Sequence, residues 1–397
     1  MTEKTRSHID TLRGATRLAV EATKGITGLV EEMHRTIGGG PAVLGRPLSG
    51  PVRLMTAATY GGIRAATRLV GAGLDLALEQ LSPLVGETAP GAERDAVLAA
   101  LNGVLGDYLD ETDNPLAIEM RLRPAPLAVE PSAGPTSSAS QKLLVLVHGS
   151  CMNARQWNRN GHDHGAALAR DLGYEAVYLQ YNSGRHVSTN GAELAAQLER
   201  FVQARPTPVE ELVILGHSMG GLVARSACHV AETAGLGWRQ TLRAMVFLGT
   251  PHHGAPLERG GNWVDVLLGV SRYSAPLVRL GQIRSAGVTD LRFGNVLDAH
   301  WHGRDRFKPG ADQRSPLPLP CDVACYAIAG TTGSGRVRAH FGDGIVPVAS
   351  ALGRHQKPEL SLAFPETHTW TGEGIKHLDL LDHAEVYEVL RGWLEAS

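Results

Sequence analysis

Leu212-Val213-Ile214-Leu215-Gly216-His217-Ser218-Met219-Gly220-Gly221 is the stretch on which the reading of this chain turns. Four apolar residues in succession describe a strand covered on both faces, as in a parallel sheet. A helix is expected directly after it, over about 219–235. Between strand and helix stands Gly-x-Ser-x-Gly, in the strand–turn–helix setting that gives this pattern meaning. The spacing has a steric reason. So sharp a turn holds Ser218 in a strained backbone conformation, and Gly216 and Gly220 leave room for it. The hydroxyl is then presented at the carboxyl end of the sheet. A Gly-rich turn with an incidental Ser is the plain alternative, and the flanking strand and helix argue against it.

Outward from this stretch the texture repeats. Leu143–Val147, Ala176–Leu179, Ala244–Leu248 and Val323–Ala329 are further apolar runs of strand length, with helical segments at about 164–172 and 191–204. Strand and helix alternating in order predict an α/β fold built on a doubly wound, mostly parallel sheet.

The Gly216-His217-Ser218-Met219-Gly220-Gly221 segment resembles the nucleophile elbow of the α/β-hydrolase superfamily, and more narrowly that of bacterial lipases and esterases. The resemblance covers roughly residues 141–397. It implies a triad in the chain order nucleophile, acid, histidine, a lid insertion, and no cofactor. It also implies an oxyanion hole of two backbone amides. One is that of Met219, after the nucleophile; the other comes from Val147-His148-Gly149-Ser150-Cys151, where lipases with His-Gly use the next residue, here Ser150. Cys151 is the alternative donor, and His148 is expected to orient the loop.

The acid is expected in Phe341-Gly342-Asp343-Gly344-Ile345-Val346-Pro347. A carboxylate in a Gly-flanked loop after a strand can orient an imidazole and stabilise its cation, and the form resembles the acid loop of lipases. The bland reading of Asp-Gly is a turn. The histidine should follow a last strand, expected at Glu359–Phe364. His377 in Gly374-Ile375-Lys376-His377-Leu378-Asp379 precedes a terminal helix, about Leu380–Leu394, and resembles the lipase histidine segment. His368 is the runner-up, and His383 reads as a capping or packing residue of that helix. Asp379 has the spacing of a calcium ligand in some lipases, but a helix-start Asp that favours the dipole is the simpler reading.

Further residues are expected to shape the substrate pocket: Cys151, His217, Pro251 and His252 (the last two in Gly249-Thr250-Pro251-His252-His253-Gly254) and Arg185, which touches substrate or holds a loop. Adjacent histidines point apart, so His252 and His253 are not read as a metal site. Residues 255–320 form the insertion, with Trp263, Leu268, Tyr273 and Leu291 among its apolar residues.

Composition bounds the rest. The chain has 397 residues, with 38 Lys and Arg against 40 Asp and Glu. That balance lacks the basic footprint of a nucleic-acid binder. Four cysteines do not make a disulfide scaffold. No secretory signal or membrane span is legible, so the expectation is cytoplasmic, with peripheral membrane contact open. Aromatics divide the chain: before position 130 there are only Tyr60 and Tyr108. The start is read as a helical unit, 1–123, with helices at 8–37, 52–82 and 91–110 and a strand within 116–122. A Pro-rich linker, 124–141, joins it to the domain at 142–397. The amphipathic 8–37 segment is the candidate for contact with a membrane surface or a partner. The function expected is a serine carboxylic-ester hydrolase acting on an acyl ester through an acyl-enzyme. The alternatives are an acyltransferase with the same triad, or a binding protein acting through its N-terminal helices.

Overall fold

The computed structural model describes residues 91–124, 140–255, 285–306, 311–333 and 342–396. The chain divides into two units, one of Met1–Pro90 with Thr112–Leu116, the other of Gly91–Glu111 with Ala117–Ser397. The expected helices at 8–37 and 52–82, nearly all of the linker, and the 256–284 part of the insertion lie outside the described residues.

The larger unit is built on a seven-stranded sheet. Its strands are β1 (Arg121–Pro124), β2 (Lys142–Val147), β3 (Glu175–Gln180), β4 (Glu211–His217), β5 (Leu242–Leu248), β6 (Ala324–Thr331) and β7 (Thr369–Glu373). They lie in the order β1-β3-β2-β4-β5-β6-β7. β1 runs antiparallel to β3 and every other pairing is parallel. The helices are α1 (Gly91–Glu111), α2 (His164–Leu172), α3 (Val187–Gln203), α4 (Met219–Ala234), the short α5 (Ala286–Asp290) and α6 (Val348–Ala351), and α7 (Ala384–Glu395).

The continuous apolar runs are buried on both faces because alternate residues meet different helices. Leu144, Leu146, Val213, Leu215, Val246 and Ile328 pack with Leu168 of α2 and Val386 and Leu390 of α7 in one core. The intervening Leu143, Val145, Leu212, Ile214 and Phe247 are fully buried too; by the period-two alternation they face the opposite side of the sheet. Helix ends follow their caps. Asp163 accepts from the Ala166 N–H at the start of α2, and Gly173, at φ +74°, ends it.

Boundaries differ from the sequence reading in several places. The first is that α1, expected within a separate N-terminal unit, belongs to the larger one. Its Asn102 accepts from the Ile118 N–H, and its Gly106 carbonyl accepts from Asn182 after β3. The second is that the edge strand of the 116–122 region begins later, at Arg121. The third is that the last strand is Thr369–Glu373, not Glu359–Phe364. Pro358 opens a 3₁₀ turn there, and Leu362 donates instead to the Gly353 carbonyl. The true strand is a half-exposed edge reading Thr-Trp-Thr-Gly-Glu, with little apolar signal. His383 caps α7 by accepting from the Glu385 N–H. No helix among the described residues is long and apolar enough to cross a membrane.

Candidate active site

β4 ends at His217 and α4 begins at Met219, so Ser218 alone makes the turn. Its backbone has φ +53° and ψ −125°, a conformation that costs a non-glycine residue about 1–3 kcal/mol. The surroundings impose it. The Ser218 N–H donates to the Leu248 carbonyl of β5 at 2.8 Å, and its own carbonyl accepts from Gly221 at 3.1 Å. A Cβ on Gly220 would lie 2.1 Å from the Val147 carbonyl oxygen, so α4 is pressed against the end of β2. Ser218 remains partly exposed between buried neighbours.

The stretch after β6 brings in Asp343. Gly342 and Gly344 both have positive φ, and the loop between them turns two amides onto Asp343. Its Oδ1 accepts from Ile345 N–H at 3.0 Å and Val346 N–H at 2.8 Å. Its Oδ2 lies 2.7 Å from Nδ1 of His377. A carboxylate only accepts, so Nδ1 carries the proton and the Nε2 lone pair is left free to act as a base. The backbone of His377 is fixed as well. Its N–H donates to the Asp343 carbonyl at 3.1 Å, and its carbonyl accepts from Nε2 of His217 at 3.1 Å. Burial, and secondarily the nearby His377, hold the His217 pKa well below the usual imidazole value. The ring is therefore neutral and donates from Nε2.

Ser218 and His377 line one pocket together with Gly149, Ser150 and His217. Its apolar walls include Met152, Pro251, Leu291, Ile345, Val346 and Leu378. Gly149 abuts the Ser218 turn so closely that a Cβ there would stand 3.1 Å from the Ser218 Cβ. The Met219 amide opens α4, where the first N–H groups of a helix have no partner within it. His148 holds the other loop. Its Nδ1 donates to the Gly149 carbonyl, its own carbonyl accepts from the Tyr181 hydroxyl, and the two rings stack at 4.4 Å. Burial lowers its pKa to about 4, so it too is neutral.

The structure therefore brings Ser218, His377, Asp343, Ser150, His217 and Pro251 together. It does not bring Cys151, His252 or Arg185 to the pocket wall. Cys151 is buried, its thiol pushed up to about 12 by burial, and its amide is directed away, to the hydroxyl of Ser183. His252 packs against Phe247 behind the wall, with Arg225 at 3.4 Å from its Nδ1. Arg185 is a loop-holder, paired with Asp110 and Glu193. His368 stands at the start of β7, its Nδ1 3.2 Å from the Cys325 carbonyl. Asp379 accepts from the Lys376 N–H and faces Arg159 at 3.7 Å.

Two residues that the sequence places only within longer segments, Gly249 and Leu291, contribute individually. Gly249, at φ +55°, approaches the acid–histidine pair so closely that a Cβ would lie 3.0 Å from Asp343 Oδ2 and 3.1 Å from His377 Nδ1. It follows β5 as Gly249-Thr250-Pro251, and a Gly at a strand's carboxyl end was the available signal. Leu291 reaches the pocket from within the insertion, where no motif marks it.

Residues 138–312 match the family model described as the PGAP1-like alpha/beta domain. A rice protein (Oryza sativa subsp. japonica), Esterase PIR7B, is 39% identical over 92 residues, which are 22% of this chain and 32% of that esterase. The match thus spans about a third of that relative's length. Among solved structures, the Bacillus licheniformis lipase BlEst2 in mature form aligns with 70% of this chain and 98% of its own, at 18% identity and a TM-score of 0.43. Naproxen esterase from Bacillus subtilis aligns with 66% of this chain and 85% of its own, at 15% identity and a TM-score of 0.36. On sheet order and elbow the larger unit has the α/β-hydrolase fold, and residues 138–312 are similar to the PGAP1-like alpha/beta domain.

Proposed function

We propose that this protein is a serine carboxylic-ester hydrolase. Ser218 attacks the ester carbonyl while Nε2 of His377 takes its proton. Asp343 holds the imidazole in the tautomer with Nδ1 protonated and stabilises the imidazolium that forms. The amides of Met219 and Ser150 receive the tetrahedral oxyanion. His377 returns its proton to the leaving alcohol, leaving an acyl-Ser218. Water, deprotonated by the same Nε2, then attacks that acyl group, releases the acid and restores Ser218.

The observation that carries the reading is Ser218 at positive φ in one pocket with a histidine whose far nitrogen is locked 2.7 Å from a buried carboxylate. The apolar walls suit an acyl chain. Replacing Ser218 by Ala and assaying p-nitrophenyl esters tests it. The expected loss in kcat is at least about 10⁴-fold with the fold retained. A folded variant with undiminished turnover refutes the assignment.

A further inference from the structure

We propose that Ser183 and Gly103, neither of which touches the pocket, are positioning residues that decide which amide of the oxyanion turn faces the reacting carbonyl. This rests on the reading of Ser218 and Ser150 just given, and extends it to a second layer.

The turn is Gly149-Ser150-Cys151-Met152. Its closing hydrogen bond runs from the Met152 N–H to the Gly149 carbonyl at 3.4 Å. Cys151 occupies its third position with φ +61°. Positive φ at that position is the mark of a type II turn and is ordinarily left to Gly or Asn. A cysteine there must be held by its surroundings, and two contacts do so. The Cys151 N–H donates to Ser183 Oγ at 3.0 Å, between buried partners. On the other side Gly103 of α1 packs against the same residue. A Cβ at 103 would lie 2.2 Å from Cys151 Sγ and 2.8 Å from its Cα, so only a glycine lets the helix and the turn occupy these positions.

The consequence follows from hydrogen-bond bookkeeping. The turn offers two neighbouring amides, of Ser150 and Cys151. Ser183 takes the second, directing it away from the pocket. The first belongs to Ser150, which lines the pocket beside Ser218. Without the Ser183 hydroxyl the Cys151 amide would have no partner in a buried place, and the peptide would rotate to find one. That rotation carries the adjoining peptide groups of the turn with it.

Ser183 is itself fixed from both sides in sequence. The Gly184 N–H donates to Asn182 Oδ1, and Asn182 Nδ2 donates to the Gly106 carbonyl of α1. A Cβ on Gly184 would meet the Asn102 carbonyl at 2.1 Å. Helix α1, the loop after β3 and the oxyanion turn thus form one packed stack.

The test compares three variants of the full chain on p-nitrophenyl esters: Ser183→Ala, Gly103→Ala and, as control, Ser188→Ala. Ser188 is another buried serine whose hydroxyl accepts a hydrogen bond, from Trp301 Nε1 at 2.9 Å, but it does not reach the turn or the pocket. Ser183→Ala is expected to lower kcat by about 10–100-fold with KM within threefold, short of the 10²–10³ that follows complete loss of an oxyanion donor. Affinity for an alkyl boronic acid, a tetrahedral mimic, should fall by the same factor as kcat/KM. Gly103→Ala should shift kcat in the same direction. Ser188→Ala should leave kcat of the folded protein unchanged. If Ser183→Ala lowers only the melting temperature and leaves kcat and boronate affinity intact, the proposal is overturned. A fully active Ser218→Ala protein would instead overturn the triad reading, so the two failures are distinct.

Discussion

At the scale of single residues, the site separates what a side chain does from how it is held. Asp343 uses one oxygen for the imidazole and the other for two loop amides. Asp343→Asn keeps the size and the hydrogen-bonding reach, but an amide NH₂ facing Nδ1 would invert the tautomer. The expected result is a kcat lower by about 10³–10⁴-fold with unchanged far-ultraviolet circular dichroism, measured on the same esters. Retention of more than a tenth of kcat would show that Asp343 does not set the tautomer. Much of this was legible in the sequence, because Gly-x-Ser-x-Gly, Gly-Asp-Gly and the histidine near the end each carry a local steric or chemical signature. Cys151 and His252 suggest themselves as pocket residues because they stand in or beside motifs, and Arg185, for which holding a loop is the alternative, because its loop follows a strand at the same sheet edge. Adjacent residues of an extended loop point in different directions, and these three turn into the core or toward other loops. Ser183 carried no signature, since a lone Ser is common in any loop.

At the scale of elements, the strands declared themselves because a central parallel strand must be apolar on both faces. Five apolar runs coincide with β2 through β6 within a few residues. β7 did not, since an edge strand half open to water can be written in Thr and Glu, whereas Leu360, Leu362 and Phe364 mimicked a strand in a segment that Pro358 and Pro365 break. The insertion illustrates the limit from the other side. Its Leu291 sits just past the short α5 and is buried against the pocket, and only the return of the chain to the sheet reveals this. Leu291→Ala removes a wall rather than a reacting group. It should shift the preference among p-nitrophenyl esters toward acyl chains longer by about two to four carbons, with kcat on the best substrate within about fivefold. An unchanged chain-length profile would place the acyl chain elsewhere.

At the scale of the whole molecule, acid sensitivity is built in through neutral buried histidines. Burial lowers His148 and His164 to about 4, and holds His217 and His252 well below 6.5. In the unfolded chain each titrates near 6.5. Between pH 6.5 and 4 the unfolded state therefore binds more protons than the native state, and stability declines as pH falls through that window. His148 and His164 each account for about 2 kcal/mol between pH 7 and pH 5. Urea denaturation at the two pH values should show a lower midpoint at pH 5, and equal midpoints would contradict neutral burial. The division of the chain was the part least open to sequence reading. α1 is rich in Ala and Gly, as the preceding segments are, so composition grouped it with them. What assigns it to the larger unit is contact, through Asn102, Gly103 and Gly106, with residues far along the chain.

That placement of α1 bears on how the gene could be cut or recombined. The natural-looking seam is the Pro-rich stretch at 124–141, where composition changes and a designer of fragments or chimaeras would place a junction. The fold is joined across that seam. A piece beginning at residue 142 would carry Ser218, Asp343 and His377 but leave behind the helix that packs against the Gly149–Met152 turn. Transplanting the larger unit as a module means starting upstream of Gly91, and a crossover partner would have to bring a glycine matched to Cys151 along with its helix.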